Sequence, residues 1–252
     1  MASILDKYGI KEVADVMFYE IDANGQPSIP VLYLDTLKVS TIEQTAEEAE
    51  AKGGKGNATL ISWDYGKDIT VTLEDALFSA KSMAIMFGNG TVDNTSTLKK
   101  TISWRATGTQ PAVPTEWEGP QGKTYALPTT PGSVVTYDAA GSSVTTFTDG
   151  EVYYSTFDMT VAGGVIDVSA NSFPGTYYVT GDTYARSEIN GKDEFFQFII
   201  PKAKVKSENT ITLEAEGDPS VFNLSLHVLR PAGGGAMMQL VKYDIPVEEP
   251  NG

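Results

Sequence analysis

The sequence predicts a mainly β protein, a β-sandwich or flattened barrel with one flanking α-helix and long loops. Three observations support this fold class: roughly ten short segments with strand-like patterning, Gly- and Pro-containing turns between them, and one convincing helical pattern. With 41% hydrophobic and 10% aromatic residues, the chain has enough apolar surface for a core. Its 252 residues suit one large β domain, or a core domain with a smaller insertion.

The first predicted elements are two strands joined by a tight turn. Residues 16–21 and 29–37 are rich in β-branched and aromatic residues, and the sequence Asp22-Ala23-Asn24-Gly25 lies between them. Asn and Gly tolerate positive φ, which the turns of β-hairpins require. We therefore predict a β-hairpin over residues 16–37.

Residues 41–57 form the next segment, which is acidic and then rich in glycine. Its first half contains helix-forming residues but almost no apolar face, and its second half contains Gly53, Gly54 and Gly56. We expect a long solvated loop, which in a compact domain is usually functional or disordered. Its charged residues are candidate contact residues: Glu43, Glu47, Glu48, Glu50, Lys52 and Lys55.

The predicted helix follows a short strand. Ile69, Val71 and Leu73 alternate with polar residues, as in a half-buried strand. The spacing of the apolar residues then changes from that of a strand to that of a helix. One helical face would contain Leu73, Leu77, Ala80, Ala84 and Ile85. Thr72 and Asp75 match a capping box, and Gly88 is suited to end the helix.

Residues 109–150 are dense in Pro, Gly, Thr and Ser, which predicts an insertion or an extended loop region. Short strands are expected at 133–137 and 143–147. The core domain would then consist of residues 1–108 and 151–252.

The C-terminal part of the chain returns to strong strand patterns. Strands are predicted at 195–205, 210–215 and 221–229, with a turn at 216–219. In the last strand the alternation places one set of side chains in the core, namely Phe222, Leu224, Leu226 and Val228, and leaves Asn223, Ser225 and His227 on the polar face.

Reactive side chains are scarce. There is no cysteine, and His227, the one histidine, lies on the polar face of its strand. The 33 acidic residues permit many carboxylate pairs, as a glycosidase needs, but nothing in the sequence selects one. We find no nucleophile motif, phosphate loop or calcium loop in the expected register. The sequence therefore predicts no catalytic residues, no metal site and no cofactor.

The charge of the chain bears on its partners. Eighteen basic and 33 acidic residues give a formal charge of −15 and a pI of about 4.4. Binding to nucleic acid depends on clustered cations, so we expect no specific DNA binding, although an acidic wall would let DNA pass without adhering. No N-terminal leader and no stretch of about 18 apolar residues is present, which predicts synthesis in the cytoplasm and no membrane partner.

Lys202, Lys204 and Lys206 form a second candidate site. They alternate with Ala203 and Val205, so in a strand the three ammonium groups share one face. One interpretation is an edge strand that lysines protect from aggregation. The other is an inter-subunit cationic stripe that receives the acidic segment of a neighbouring copy.

The order of these elements resembles the phage tail tube family. The resemblance rests on the hairpin at 16–37, the segment at 41–57, "DITVTLEDALFSAKSM" at 68–83, "FFQFIIPKAKV" at 195–205 and "ITLEAEGDPSVFNLSLHVLRP" at 211–231. It covers about residues 1–106 and 180–246. These motifs are architectural and carry no catalytic residues.

The resemblance implies a structural virion protein without enzymatic activity. Hexameric rings would stack into the tail tube through which DNA is ejected, and residues 41–57 would contact the adjoining ring. Further partners would be other tail proteins, such as the tape measure and the tail terminator. Residues 109–150 exceed the minimal fold of that family.

Two other classes remain open from the residues alone. A carbohydrate-binding β-sandwich or adhesin could use Trp63, Trp104 and Trp117, together with the 12 tyrosines, to stack on sugars. An acidic glycosidase is the third possibility.

Overall fold

A computed structural model describes residues 7–88, 92–130, 132–208, 210–211 and 221–243. The chain divides into two compact units. Met1–Val92 and Ile166–Gly252 form unit 1, and Asp93–Val165 form unit 2. The predicted fold class is confirmed, because the protein is mainly β, with antiparallel sheets that do not close into a barrel and one α-helix in the described part of the chain.

The elements are numbered along the chain. They are β1 (Tyr8–Ile10), β2 (Asp15–Ile21), β3 (Pro27–Leu34), β4 (Leu37–Gly53), β5 (Ala58–Asp75), α1 (Ala80–Phe87), β6 (Asp93–Arg105), β7 (Glu116–Glu118), a 3₁₀ turn (Pro120–Gly122), β8 (Thr124–Ala126), β9 (Val134–Tyr137), β10 (Val152–Val165), β11 (Thr176–Ser187), β12 (Asp193–Val205), β13 (Phe222–Val228) and β14 (Gln239–Tyr243).

Unit 1 is built on one nine-stranded antiparallel sheet. Seven strands run in the order β3-β2-β11-β12-β13-β5-β4, while β1 pairs with β11 and β14 pairs with β12. One face of this sheet supplies the core, together with Ile85 and Met86 of α1. The alternation predicted for β13 is confirmed: Phe222, Leu224, Leu226 and Val228 are all buried.

The predicted first hairpin is confirmed as β2 and β3. In its turn, Asp22 accepts hydrogen bonds from the backbone N–H groups of Asn24 and Gln26, both at 2.8 Å, and Gly25 has φ 78°. The hydrogen bond from Gln26 is the largest cause of a lowered pKa at Asp22. Of the two turn residues expected to tolerate positive φ, Gly25 adopts it and Asn24 does not.

The helix is shorter than predicted and begins later. Ser79 caps α1, because its hydroxyl accepts a hydrogen bond from the Ser82 N–H at 3.0 Å. The predicted capping box at Thr72 and Asp75 is wrong, since both residues belong to β5. Pairing with β4 and β13 keeps the alternation of β5 through the buried Asp75. The predicted stop at Gly88 is confirmed by its φ of 87°.

The long loop predicted at 41–57 is also wrong, because most of it is strand. β4 and β5 form one long antiparallel hairpin, and the loop itself is reduced to Gly54-Lys55-Gly56-Asn57. Gly54, Gly56 and Asn57 have positive φ values of 78°, 91° and 49°, which explains the glycines at this point. The polar β4 sequence is strand because residues 58–75 of β5 pair with it and satisfy the backbone groups along that edge.

Unit 2 has a three-stranded antiparallel sheet in the order β6-β10-β9 and a separate β7–β8 hairpin. Its core contains Ile102, Leu127 and Phe157. Residues 109–150 lie within this unit, which also includes β6 and β10. The strand predicted at 133–137 is confirmed as β9, whereas the one at 143–147 is wrong, since Ser143 makes only a single bridge to Tyr137.

Two other predicted elements fall largely on residues that are not described. These are the strand at 210–215, of which only 210 and 211 are described, in no strand, and the turn at 216–219.

Candidate assembly surfaces

The outer part of the β4–β5 hairpin is a long exposed feature of unit 1. We call residues 46–67, which lie beyond the Thr45–Asp68 pair, the arm. Its strands are exposed on both faces, apart from a few half-buried positions in β4. At about 3.3 Å per residue, the seven residues from Glu47 to the turn extend the arm by roughly 23 Å. The arm is therefore a two-stranded projection from the core sheet.

One face of the arm is polar. Thr59 donates a hydrogen bond to Glu50 at 3.2 Å, Ser62 donates to Glu48, and Lys52 forms an ion pair with Glu50. These contacts place the carboxylates of Glu48 and Glu50 on this face in fixed positions. In the two hydrogen bonds, side chains of β5 hold the glutamate side chains of β4.

The opposite face of the arm is apolar. Ile61, Trp63 and Tyr65 alternate with Ser62 and Asp64, so their side chains share one face. Their cross-strand partners are Ala51, Ala49 and Glu47. Two of these partners are alanines, too small to cover a large side chain, and Ile61, Trp63 and Tyr65 are 53%, 54% and 53% exposed. The arm thus presents three large apolar side chains to solvent.

The lysines form a row on the outer face of β12. Ala203 and Val205 are buried, while Lys202, Lys204 and Lys206 point to the other side of the strand. β12 is an interior strand, paired here with β11 and β13. The edge-strand interpretation of the lysines is therefore wrong, because a strand that is paired on both sides has no edge to protect.

The single histidine lies beside this lysine row. His227 is paired with Lys204 on β12 and with Thr70 on β5. Its Nδ1 lies 3.0 Å from Oδ1 of Asp68, and the Lys206 ammonium donates to the Thr70 hydroxyl at 3.3 Å. These contacts link the base of the arm to β13 and β12.

The described surfaces carry charged rows and exposed apolar side chains. Among the described residues, no group of three or more His, Cys, Asp or Glu side chains could hold a metal ion. His227 has a carboxylate partner but no serine or threonine hydroxyl that the structure shows bonded to it. Charged rows and exposed apolar side chains are the means by which protein surfaces recognise other proteins.

The structure separates the six candidate residues of the predicted loop. Glu47, Glu48, Glu50 and Lys52 lie on the arm and Lys55 lies in its turn, whereas Glu43 lies below the arm, paired with Thr70. The sequence interpretation did not identify the apolar face of the arm. The alternation from Ile61 to Tyr65 was the signal that could have identified it.

The three tryptophans are divided between the two units, and the ring of Trp117 is covered. Trp63 belongs to unit 1, while Trp104 and Trp117 belong to unit 2. One face of the Trp117 ring is stacked on Tyr125, with centroids 4.9 Å apart, and the ammonium group of Lys100 lies 4.7 Å from the ring centroid. Stacking on a sugar needs a free ring face, which these contacts occupy.

The fold and its surfaces define a β-sandwich protein with a projecting two-stranded arm and an outward lysine row. The model of the YomU/Tube protein family matches residues 8–240, and the chain belongs to this family. This confirms the resemblance to phage tail tube proteins. A search of curated proteins found no match.

Membership of a phage tail family implies a place in the virion, and the family is a structural one. In the part of the chain that the structure describes, no helix is long and apolar enough to cross a membrane.

Proposed function

We propose that this chain is the subunit that forms the phage tail tube. Hexameric rings stack along the tail, and DNA passes through them during ejection without specific binding. The protein has no enzymatic activity, and its further partners are other tail proteins, such as the tape measure and the tail terminator. It is made in the bacterial cytoplasm and resides in the virion tail.

The exposed apolar face of the arm is the observation that carries this proposal. Ile61, Trp63 and Tyr65 are each more than half exposed, on a projection too thin to bury them within its own two strands. A neighbouring subunit that covers them removes this apolar area from water, and buried aromatic side chains commonly dominate the affinity of interfaces. The arm therefore serves as the contact between stacked rings.

Electrostatics support the same contact. The arm carries Glu47, Glu48 and Glu50, and the outer face of β12 carries Lys202, Lys204 and Lys206. Opposite charges on two copies favour one orientation and one register over others. The carboxylates of one copy lie against the lysine row of the next.

Closure of each ring uses the open ends of the sheet. In the described residues, the seven-strand path ends in β3 and β4, each paired on one side only. A neighbouring copy can continue the sheet at such an edge through main-chain hydrogen bonds. The net charge of −15 disfavours adhesion of DNA to the assembled wall.

Removal of the arm tests the proposal. The paired residues 47–65 must be removed together, since deletion of one strand alone would leave its partner unpaired. Replacement by Asn-Gly joins Ala46 to Gly66 through a turn suited to a two-residue hairpin. We expect a folded protein by circular dichroism that no longer forms stacked rings or tubes in light scattering and negative-stain microscopy.

A pair of double variants tests the contribution of the apolar face of the arm. Trp63→Ser with Tyr65→Ser should weaken stacking on the order of tenfold or more, because hot-spot aromatics commonly contribute about 2 kcal/mol or more. The matched control, Leu98→Ser with Tyr154→Ser, removes two exposed apolar side chains from unit 2, outside the arm, and should leave tube formation intact. Tubes of normal length from the arm-less protein would refute the proposed role of the arm.

A further inference from the structure

A groove in unit 2 lies between two strands that are each unpaired on the facing side. Its volume is about 430 Å³, within the range typical of ligand sites. One wall consists of consecutive β6 residues, 100–104, and the other of β7 residues 116–118 with Pro114. In the described residues, β6 pairs only with β10 and β7 only with β8.

The backbone of β6 has free hydrogen-bonding groups on the groove side. The Ala106 N–H donates to Glu151 and the Ala106 carbonyl accepts from Gly150, so Ala106 faces β10. Alternate residues of an antiparallel strand address the same neighbour. The unbroken register from Arg105 to Thr95 therefore turns the N–H and C=O groups of Thr101 and Ser103 away from β10.

The same argument applies to β7. The Thr115 carbonyl accepts from the Leu127 N–H, and the Gly119 N–H donates to the Lys123 carbonyl, so these two residues face β8. Between them, Glu116 and Glu118 direct their backbone groups away from β8. The groove is thus flanked by two sets of free strand-edge groups.

Pro114 helps to keep β7 from closing onto β6. It lines the groove and has no N–H to donate, so a ladder cannot continue through it. The cost of leaving strand edges unpaired is low at the surface, where water satisfies them, and an incoming strand replaces that water with main-chain hydrogen bonds.

The side chains of the groove indicate what kind of segment fits. Glu116 and Glu118 are exposed on its rim and form no ion pair with any described residue. The floor contains Trp117, whose indole Nε1 is buried without a hydrogen-bond acceptor in the described part of the chain. Because Tyr125 and Lys100 cover the Trp117 ring, the floor offers no open face for a sugar.

We propose that this groove binds an extended, basic polypeptide segment of a partner protein by β-strand addition. The segment pairs with the free edge of β6 at Thr101 and Ser103. Its Lys or Arg side chains lie beside Glu116 and Glu118, and its intervening side chains pack on the floor. This inference is independent of tube formation, because the groove lies within one unit of a single chain.

A substitution that removes one backbone donor tests the pairing. Ser103→Pro deletes a backbone N–H that faces the groove, and it leaves the N–H groups that pair with β10 in place. Proline is tolerated at such a position, because the N–H of an edge strand that faces away from its neighbour is not needed for pairing. Thr97→Pro makes the same change on the same free edge but outside the groove. It is the matched control for any general effect of proline in β6.

The probe is a bead-displayed library of random heptapeptides, screened against the full-length protein. We expect enriched peptides with Lys or Arg at alternate positions and without central proline. Their affinity should fall at least tenfold with Ser103→Pro, and also with Glu116→Lys and Glu118→Lys combined, but not with Thr97→Pro. Amide hydrogen exchange at Thr101 and Ser103 should slow when an enriched peptide is added.

Three results would overturn the proposal. One is the absence of enriched peptides, and another is enriched peptides that bind the Ser103→Pro variant equally well. The third is a change in oligomeric state with Ser103→Pro in the absence of any peptide binding, which would assign this edge to another copy of the chain. Folding of the two proline variants is compared by circular dichroism, and the Glu116/Glu118 variant provides the test if Ser103→Pro fails to fold.

Discussion

At the scale of single residues, Gly181 illustrates how closely the sheet of unit 1 is packed. It lies opposite Phe198 in the pairing of β11 with β12, and both residues are buried. A Cβ at this position would lie 2.1 Å from the Phe198 ring. Glycine is required here because the ring occupies the space that any side chain would need.

We therefore predict that Gly181→Ala destabilises the protein by about 1–3 kcal/mol, the usual cost of overpacking. Gly9→Ala is the control, since no atom lies within 4 Å of its added Cβ, and should change stability by less than about 0.5 kcal/mol. Urea unfolding measures both. If Phe198 is the cause, Phe198→Leu should recover part of the loss in the Gly181→Ala background.

The ion pair between Arg186 and Asp193 predicts a pH dependence. Two hydrogen bonds of 2.7 and 2.6 Å join the guanidinium to the carboxylate, and they hold the pKa of Asp193 below its usual 3.8. A carboxyl with a lowered pKa in the folded state contributes stability above its unfolded pKa and loses it as the pH falls through the folded value.

Arg186→Ala should therefore lower the urea midpoint at about pH 7, and this difference from the unmodified protein should narrow as the pH falls below about 4. Both side chains are exposed, so we expect a small effect. In the Asp193→Asn background, Arg186→Ala should produce no such narrowing. A difference that stays constant with pH would contradict the assigned role of the pair.

At the scale of elements, the arm and the lysine row form a complementary pair of surfaces. The arm places Glu48 and Glu50 on its polar face through contacts with its own second strand. β12 places Lys202 and Lys204 opposite the core because Ala203 and Val205 are buried, and Lys206 follows the strand directly. Each surface is held by its own element, so each can be changed without loss of the fold.

A charge exchange tests whether these two surfaces meet. Glu47, Glu48 and Glu50 changed to Lys should weaken tube formation, and so should Lys202, Lys204 and Lys206 changed to Glu. The protein with all six changes should recover assembly, since the pairs are restored with reversed sign. Length distributions from microscopy provide the measurement, and raised salt should weaken the contact in the unmodified protein. If the sixfold variant does not recover tube formation, the two surfaces do not contact each other in the tube.

At the scale of the whole molecule, the chain is organised as two units with separate cores. The core of unit 1 includes residues from both ends of the described chain, whereas unit 2 has its own core around Ile102, Leu127 and Phe157. The chain leaves and re-enters unit 1 through β6 and β10, where Asp93 is paired with Val165. The two crossing points are therefore neighbours.

Because these points are adjacent, we predict that a short Gly-Ser linker can replace Asp93–Val165 and leave unit 1 folded. Removal of 109–150 alone should be more damaging, since it deletes Leu127 and β9 but leaves Ile102 and Phe157 without their partners. Thermal unfolding monitored by circular dichroism compares the two deletions. Equal stability of both proteins would contradict the assignment of β6 and β10 to unit 2.

The fold class, the first hairpin and the core face of β13 could be predicted from the sequence, because alternation and turn chemistry are local properties. The sequence also identified the face that Lys202 and Lys204 of β12 share with Lys206, which follows the strand. The remaining elements, namely the β4–β5 hairpin and the start of the helix, depend on pairing between strands. Residues 41–53 resemble a loop or a weak helix in the sequence, but in the structure they pair with residues 58–72. Thr72 and Asp75 resemble a helix cap in the sequence, but they lie in β5, which pairs with β4 and β13.

Dependence on strand pairing also explains why only part of the candidate site could be predicted from the sequence. The charges of the arm are visible in its sequence, but its apolar face depends on which residues lie across from Trp63 and Tyr65. The interior position of β12, which removed the edge-strand interpretation of its lysines, follows from strands far away in the chain. Whether a strand has an open edge depends on which other strands pair with it in the folded protein. These partner strands can be distant in the chain, so the local sequence pattern of a strand does not predict them.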